Sequence, residues 1–211
     1  MNDLIKDSKK NGLGNSFYLH MMPNLGTKDG KEIMKYATKN DYGTTDIQFI
    51  INGAIKEAGL LVILNKYIAS KTGIYPFGED FNVRKAPKTL DKLLALCIEN
   101  IPQNEMPLLI GVGDTVTSVK DKLTNTWLRG GSDRKFLTLI QNIGIAYKKD
   151  NQVIFVNSGN TQVARPRIEN SKMNGISDRE DDLKFNMVIS NGPDEYIDWF
   201  EELAIRILKD E

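Results

Sequence analysis

The chain has 211 residues, with 28 Lys and Arg against 28 Asp and Glu, so its formal net charge is zero. That balance excludes a nucleic-acid binder working by bulk phosphate neutralisation, and it excludes an acidic solvating tail. With 40% hydrophobic and 27% charged residues the composition is globular, and the length allows one large domain or a domain with a small appendage.

Residues 2–11 read as the end of a helix, stopped by Gly12 and Gly14. The opening MNDLIKDSKK carries charges but no apolar stretch, so it is not a secretory signal. The longest apolar run, Gly59 to Leu64, is too short to span a bilayer. A soluble, cytoplasmic protein with neither membrane nor nucleic-acid partners is the simplest expectation. Ser16–His20 is a strand candidate, closed by the turn sequence Met22-Pro23-Asn24-Leu25-Gly26. Ile33, Met34, Tyr36 and Ala37 space as a weak amphipathic helix over 30–39, and Thr45–Ile51 alternates as a strand. Residues 54–70 form the most apolar helix, apolar on nearly all faces and so buried between layers, and Gly73 ends it. An aromatic loop spans 74–86, Pro87 suits a first helical turn, and Thr89–Asn100 is a helix. The single cysteine, Cys97, sits among Leu93, Leu94, Leu96 and Ile98, which predicts a buried thiol. One cysteine excludes an intrachain disulfide, and one cysteine with one histidine excludes a zinc site of Cys/His type.

Residues 107–114, PLLIGVGD, are a continuous apolar run ending in small residues and a carboxylate; such strands are buried on both faces of parallel sheets. Ser132–Asn142 is a helix capped by Ser132 or Asp133. Gln152–Val156 and Lys184–Ile189 are further strands, 158–182 is polar and loop-rich, and the last helix opens at Pro193-Asp194-Glu195. Alternation of helix and strand predicts an α/β fold with a largely parallel sheet.

Ligands of open α/β sheets bind beyond the carboxyl ends of strands, where Asp114 falls. Asp114 is either a Mg²⁺ ligand or a turn Asp bonded to its own backbone. Lys56 opens a very apolar helix, where a cation opposes the helix dipole but completes an anion site. It is either a phosphate ligand or a solvated Lys paired with Glu57 or another acid. The loop Arg129-Gly130-Gly131-Ser132-Asp133 either returns Asp133 to the Asp114 site or simply caps a helix. His20 has no acid beside it in sequence, which favours a structural or surface role. The run Asp178–Asp182 reads as a solvated loop, and Tyr75, Phe77 and Phe81 line a sugar pocket or plug the core edge.

Lys56 at a helix start and Gly113-Asp114 at a strand end about 60 residues on resemble the later half of a haloacid-dehalogenase-type phosphatase. Within that superfamily the likeness is to the glucosylglycerol-phosphate phosphatase family. It is carried by GLGNSFYLHMMPNLG (12–26), GKEI (30–33), GTTDIQF (43–49), KEAG (56–59), IGVGDTVTS (110–118), RGGSDRKFLTLIQ (129–141) and DREDDLKFN (178–186). The resemblance implies a partial Rossmann-like core with part of a cap: 1–52 the end of the cap-like region and 53–211 the C-terminal half of the core. It implies Lys56 as the phosphate-binding Lys, Asp114 as the Mg²⁺ ligand and Asp133 as the second acid displaced by the insertion 119–131; in departure from the superfamily, the usual position of that acid, about four residues after the first, holds Ser118. Asn15, His20 and Asp46 become candidates for the sugar hydroxyls.

The implied activity is Mg²⁺-dependent hydrolysis of glucosylglycerol 3-phosphate to glucosylglycerol and phosphate, a compatible-solute synthesis under osmotic stress. The superfamily's nucleophile is the first Asp of an Asp-x-Asp motif on the first core strand, and these 211 residues contain no Asp-x-Asp. Mg²⁺ and a Lys neutralise phosphate charge but do not replace the attacking group. The first core strand is thus expected to be missing, together with an N-terminal half. Two other expectations stand beside the first: a non-catalytic remnant or sugar-phosphate-binding module, and a phosphatase of sucrose or trehalose phosphate.

Overall fold

The structure, a computed structural model, describes residues 2–13, 16–29, 31–37, 39, 43–158, 168–169, 172–173 and 178–209. In chain order the elements are α1 (Asn2–Lys10), β1 (Phe17–Met22), β2 (Asn24–Lys28), β3 (Lys31–Met34), β4 (Asp46–Ile51), α2 (Lys56–Thr72), α3 (Leu90–Asn100), β5 (Ile110–Gly113), β6 (Thr117–Lys120), β7 (Trp127–Gly130), α4 (Arg134–Tyr147), β8 (Gln152–Val156), β9 (Ile168–Glu169), β10 (Lys172–Met173), β11 (Met187–Ile189) and α5 (Pro193–Lys209). The fold is mixed α/β.

The centre is a three-stranded parallel sheet in the order β11-β8-β5. β8 is its middle strand, and its alternation divides two cores. Val153 and Phe155 join the large cluster made with α2, α3 and α4, including Leu61, Leu93, Cys97, Leu137 and Ile140. Ile154 and Val156 face the other way, onto Ile189 and the Tyr196 and Trp199 rings of α5. Cys97 is fully buried, and burial pushes its thiol up to about 12, so it is inert packing.

Three expectations are corrected. Among the described residues parallel pairing is confined to these three strands, and the other paired strands are antiparallel. β5 has one partner strand among the described residues, and Ile110 is 47% exposed, so the apolar run is not covered on both faces. The helix expected over 30–39 is replaced by β3, paired antiparallel with β2. Asp29 turns that hairpin at φ 51°, and Asp29-Gly30 is a dipeptide favoured in such turns. The helical spacing of Ile33 to Ala37 is overridden because Glu32 is anchored on β1, as described below.

The N-terminal strands are stitched to the later part of the chain through Asn24. Its backbone oxygen accepts from Thr117 Oγ1 at 2.8 Å, and its side-chain oxygen accepts from Gly26 N at 3.0 Å and Gly131 N at 3.4 Å. β2 therefore lies against the β6–β7 hairpin, which is inserted between β5 and α4. Asn15 lies outside the described residues, as does most of the polar stretch 158–182.

Candidate functional site

α2 starts at Lys56, directly after Ile55, whose side chain offers no cap. Ile55 therefore satisfies none of the helix's first amides, and the Glu57 carboxylate accepts from its own backbone N–H there. Lys56 is neither alone nor paired with Glu57: its Nζ donates to Asp133 Oδ1. The lysine side chain stays 54% exposed while the Asp133 side chain is 5% exposed, so one end of the pair is anchored and the other open to solvent.

Asp133 stands at the start of α4 but makes no side-chain cap bond to its own helix, contrary to the expected capping role. Its carboxylate is committed elsewhere: Oδ2 accepts from the backbone N–H of Asp114 and of Thr115, each at 3.0 Å. Ser132 makes no cap either, since the cap position is Asp133. Two glycines make this approach possible. A Cβ on Gly113 would stand 2.8 Å from Asp133 Cβ and 3.0 Å from Leu137 Cδ1. Gly131 turns at φ 98°, and a Cβ there would stand 2.3 Å from the Thr115 carbonyl oxygen. The small residues around Asp114 thus serve helix-to-strand contact.

Asp114 lies half-buried at the end of β5, with Thr115 Oγ1 donating to its Oδ1 at 2.8 Å. Burial pushes its carboxyl up, but hydrogen bonds with Ser158, Thr115 and Asp133, and the Lys56 charge, outweigh that and hold it below the usual carboxylate range. The structure therefore brings Lys56, Asp133 and Asp114 into one constellation. Among the described residues no three His, Cys, Asp or Glu gather as a metal cage. An ionised Asp114 fits Mg²⁺ in the manner of sites that take one or two carboxylates and fill the rest with water and phosphate oxygens.

Lys56 opens onto a groove of 1390 Å³. Its described walls carry eight Lys and Arg side chains against two Glu, and four of those cations, Lys6, Lys56, Arg129 and Arg134, are paired with Asp residues that do not line it. The antiparallel pair β1–β4 also lines the groove, and there His20 stands across from Gln48. His20 has the partner that its local sequence lacked: its Nδ1 lies 2.8 Å from Glu32 Oε1, while Glu32 Oε2 accepts from Met21 N at 2.6 Å. Glu32 was missed because its role depends on β3 lying beside β1. Burial, then the charges of Glu32 and Glu57, raise the Tyr18 hydroxyl above its ordinary value, which puts this wall electrostatically close to the start of α2. Asp46 is exposed, bonds Gln48 Nε2 and does not line the groove; Asp114 does not line it either. Phe77 and Phe81 meet with ring centroids 5.0 Å apart, tilted at 52°, and pack against the core, in keeping with a packing role.

The acidic run is only in part a solvated loop: Glu180 and Asp182 are exposed, whereas Asp178 and Asp181 turn inward. Asp178 is buried and accepts from Ser118 Oγ at 2.9 Å and Arg129 Nε at 2.7 Å. Asp181 is buried too and takes Arg134 through both carboxylate oxygens, at 2.9 and 2.7 Å. Burying a carboxylate is costly unless a cation accompanies it, and the arginines of residues 129–134 supply the cations.

No helix among the described residues is long and apolar enough to cross a membrane. Residues 1–204 match the family model described as glucosylglycerol-phosphate phosphatase. A curated glucosylglycerol-phosphate phosphatase of Synechocystis sp. is 42% identical over an alignment covering 98% of this chain and 52% of that protein. The chain thus spans about half the length of the curated relative it matches. No solved structure matches it. The matched residues 1–204 span Lys56, Asp114 and Asp133, and the chain belongs to the glucosylglycerol-phosphate phosphatase family.

Proposed function

We propose that this chain forms the phosphate-holding side of a haloacid-dehalogenase-type, Mg²⁺-dependent phosphatase of glucosylglycerol 3-phosphate. The observation that carries the reading is the Lys56–Asp133–Asp114 constellation, which reaches the groove through Lys56 while its two carboxylates lie behind the groove wall. Lys56 holds a phosphoryl oxygen, and the buried Asp133 fixes both the ammonium and the backbone that presents Asp114. Asp114 would hold Mg²⁺, which supplies charge neutralisation to the phosphate. The α2 amides add a second source of positive potential. On the groove wall, Glu32 locks His20 with Nδ1 facing the carboxylate, which leaves Nε2 for a sugar hydroxyl. In this reading the attacking carboxylate comes on a further strand pairing with the open edge of β5.

A second reading, a sugar-phosphate-binding protein without turnover, is favoured by the absence of Asp-x-Asp from these 211 residues. The test is calorimetry with glucosylglycerol 3-phosphate, with and without Mg²⁺, alongside phosphate release by the same chain. Saturable binding that Mg²⁺ strengthens, lost in Lys56→Met, is the expected result. Turnover by this chain alone would show a nucleophile among residues we assign other roles. No binding at all would remove the phosphate site. Parallel titrations with sucrose and trehalose phosphates assign the sugar.

A further inference from the structure

Two family-bearing segments, RGGSDRKFLTLIQ and DREDDLKFN, are joined by two Arg–Asp pairs of unlike design. Arg134 is spent: its side chain is 12% exposed, it grips Asp181 through both terminal nitrogens, and its remaining bonds go to the carbonyl oxygens of Gly130 and Thr117. Arg129 is held by a single nitrogen. Nε donates to Asp178, and the two terminal nitrogens make no hydrogen bond with any described residue. Its side chain is 33% exposed and lines the same groove as Lys56. Asp178 below it is 0% exposed and is fixed by Ser118 Oγ and by Glu180 N at 3.0 Å. A guanidinium carries five donors in a rigid plane, and fixing one edge through Nε aims the other.

We infer that Arg129 is a second anion ligand of the groove, receiving oxygens of the phosphate ester on its outer edge, and that Asp178 with Ser118 is the positioning pair that aims it. The inference rests on the phosphate-site reading above and adds a residue to it. It gives the segment Asp178–Asp182 a part in the site, because its fully buried carboxylate holds a half-open arginine toward a groove already rich in cations.

The experiment is calorimetric titration of the full chain with inorganic phosphate at fixed ionic strength, for wild type, Arg129→Lys, Arg129→Gln, Asp178→Asn and Lys56→Met, with thermal melts of each. Loss of a charge-assisted bond predicts that Arg129→Gln weakens phosphate binding about tenfold or more. Arg129→Lys keeps a cation beside Asp178 and melts like wild type, yet binds phosphate severalfold more weakly. It decides the matter if Arg129→Gln fails to fold. Asp178→Asn weakens binding although Arg129 is intact, a change that a merely structural pair would show only in the melt. If both Arg129 variants bind phosphate like wild type while Lys56→Met does not, the Arg129 assignment is overturned and the Lys56 site stands. If wild type binds no phosphate, both fall.

Discussion

Lys56 and Glu57 are neighbours at the start of α2 with opposite fates. Lys56 reaches solvent and Asp133, whereas Glu57 is buried on the groove wall. Burial raises the Glu57 carboxyl, and a hydrogen bond from its own backbone N–H, then the charges of Lys135 and Lys56, recover only part of that. A carboxyl whose folded pKa lies above its unfolded value supports folding fully below the unfolded pKa, and that support is lost as pH rises through the folded pKa. Ionised Glu57 is therefore a net cost at neutral pH. Glu57→Gln, which keeps the shape and removes the charge, is expected to raise the melting temperature at pH 7. The gain should shrink to nothing below about pH 4, where the wild-type group is protonated in both states. A pH series of melts checks this, and parallel curves for the two proteins would show that the burial cost is absent.

The seam between α4 and β5 carries stability and site geometry together. β5 ends in Gly113, Asp133 opens α4, and Leu137 one turn on packs over the same glycine. Gly113→Ala places a methyl group where Asp133 Cβ already stands 2.8 Å away, an overpacking that costs about 1–3 kcal/mol. The displaced Asp133 releases Lys56 and the amides of Asp114 and Thr115, so phosphate affinity should fall with stability. Leu137→Ala, a cavity in the same core, costs about 2–5 kcal/mol and leaves the Asp133 bonds in place. Urea unfolding with phosphate titration separates the two: stability drops in both variants, affinity only in the first. Equal affinity in both would mean that the seam does not set the site.

Across the whole molecule, the groove exists because the N-terminal strands are held against the β6–β7 hairpin, and Asn24 is the fastener. Asn24→Ala removes its side-chain bonds to Gly26, Gly131 and the Met21 carbonyl. Lost hydrogen bonds at a buried site cost about 1–3 kcal/mol. Hydrogen exchange should accelerate in β1–β4 and in β6–β7 together while β5 and β8 stay protected, because the central sheet does not depend on Asn24. Uniform acceleration would mean that the N-terminal strands and the central sheet open as one unit.

The sequence by itself determined the elements whose signal is local: α1 through α5, the strands β1, β4, β5 and β8, the inert Cys97, and Lys56 and Asp114 as the residues to examine. Periodicity, apolar runs and helix ends are visible within a few residues, so they need no tertiary context. The tertiary structure decided where charge is spent. Asp133 gives up capping to bridge Lys56, 77 residues away, and the Asp114 turn. Glu32 turns a lone histidine into a fixed pair, and Asp178 and Asp181 of the acidic run go inside because Arg129 and Arg134 arrive from 49 and 47 residues off. A buried charge is tolerable only where an opposite charge meets it, and which charges meet is set by strand pairing and helix packing, which local spacing does not encode.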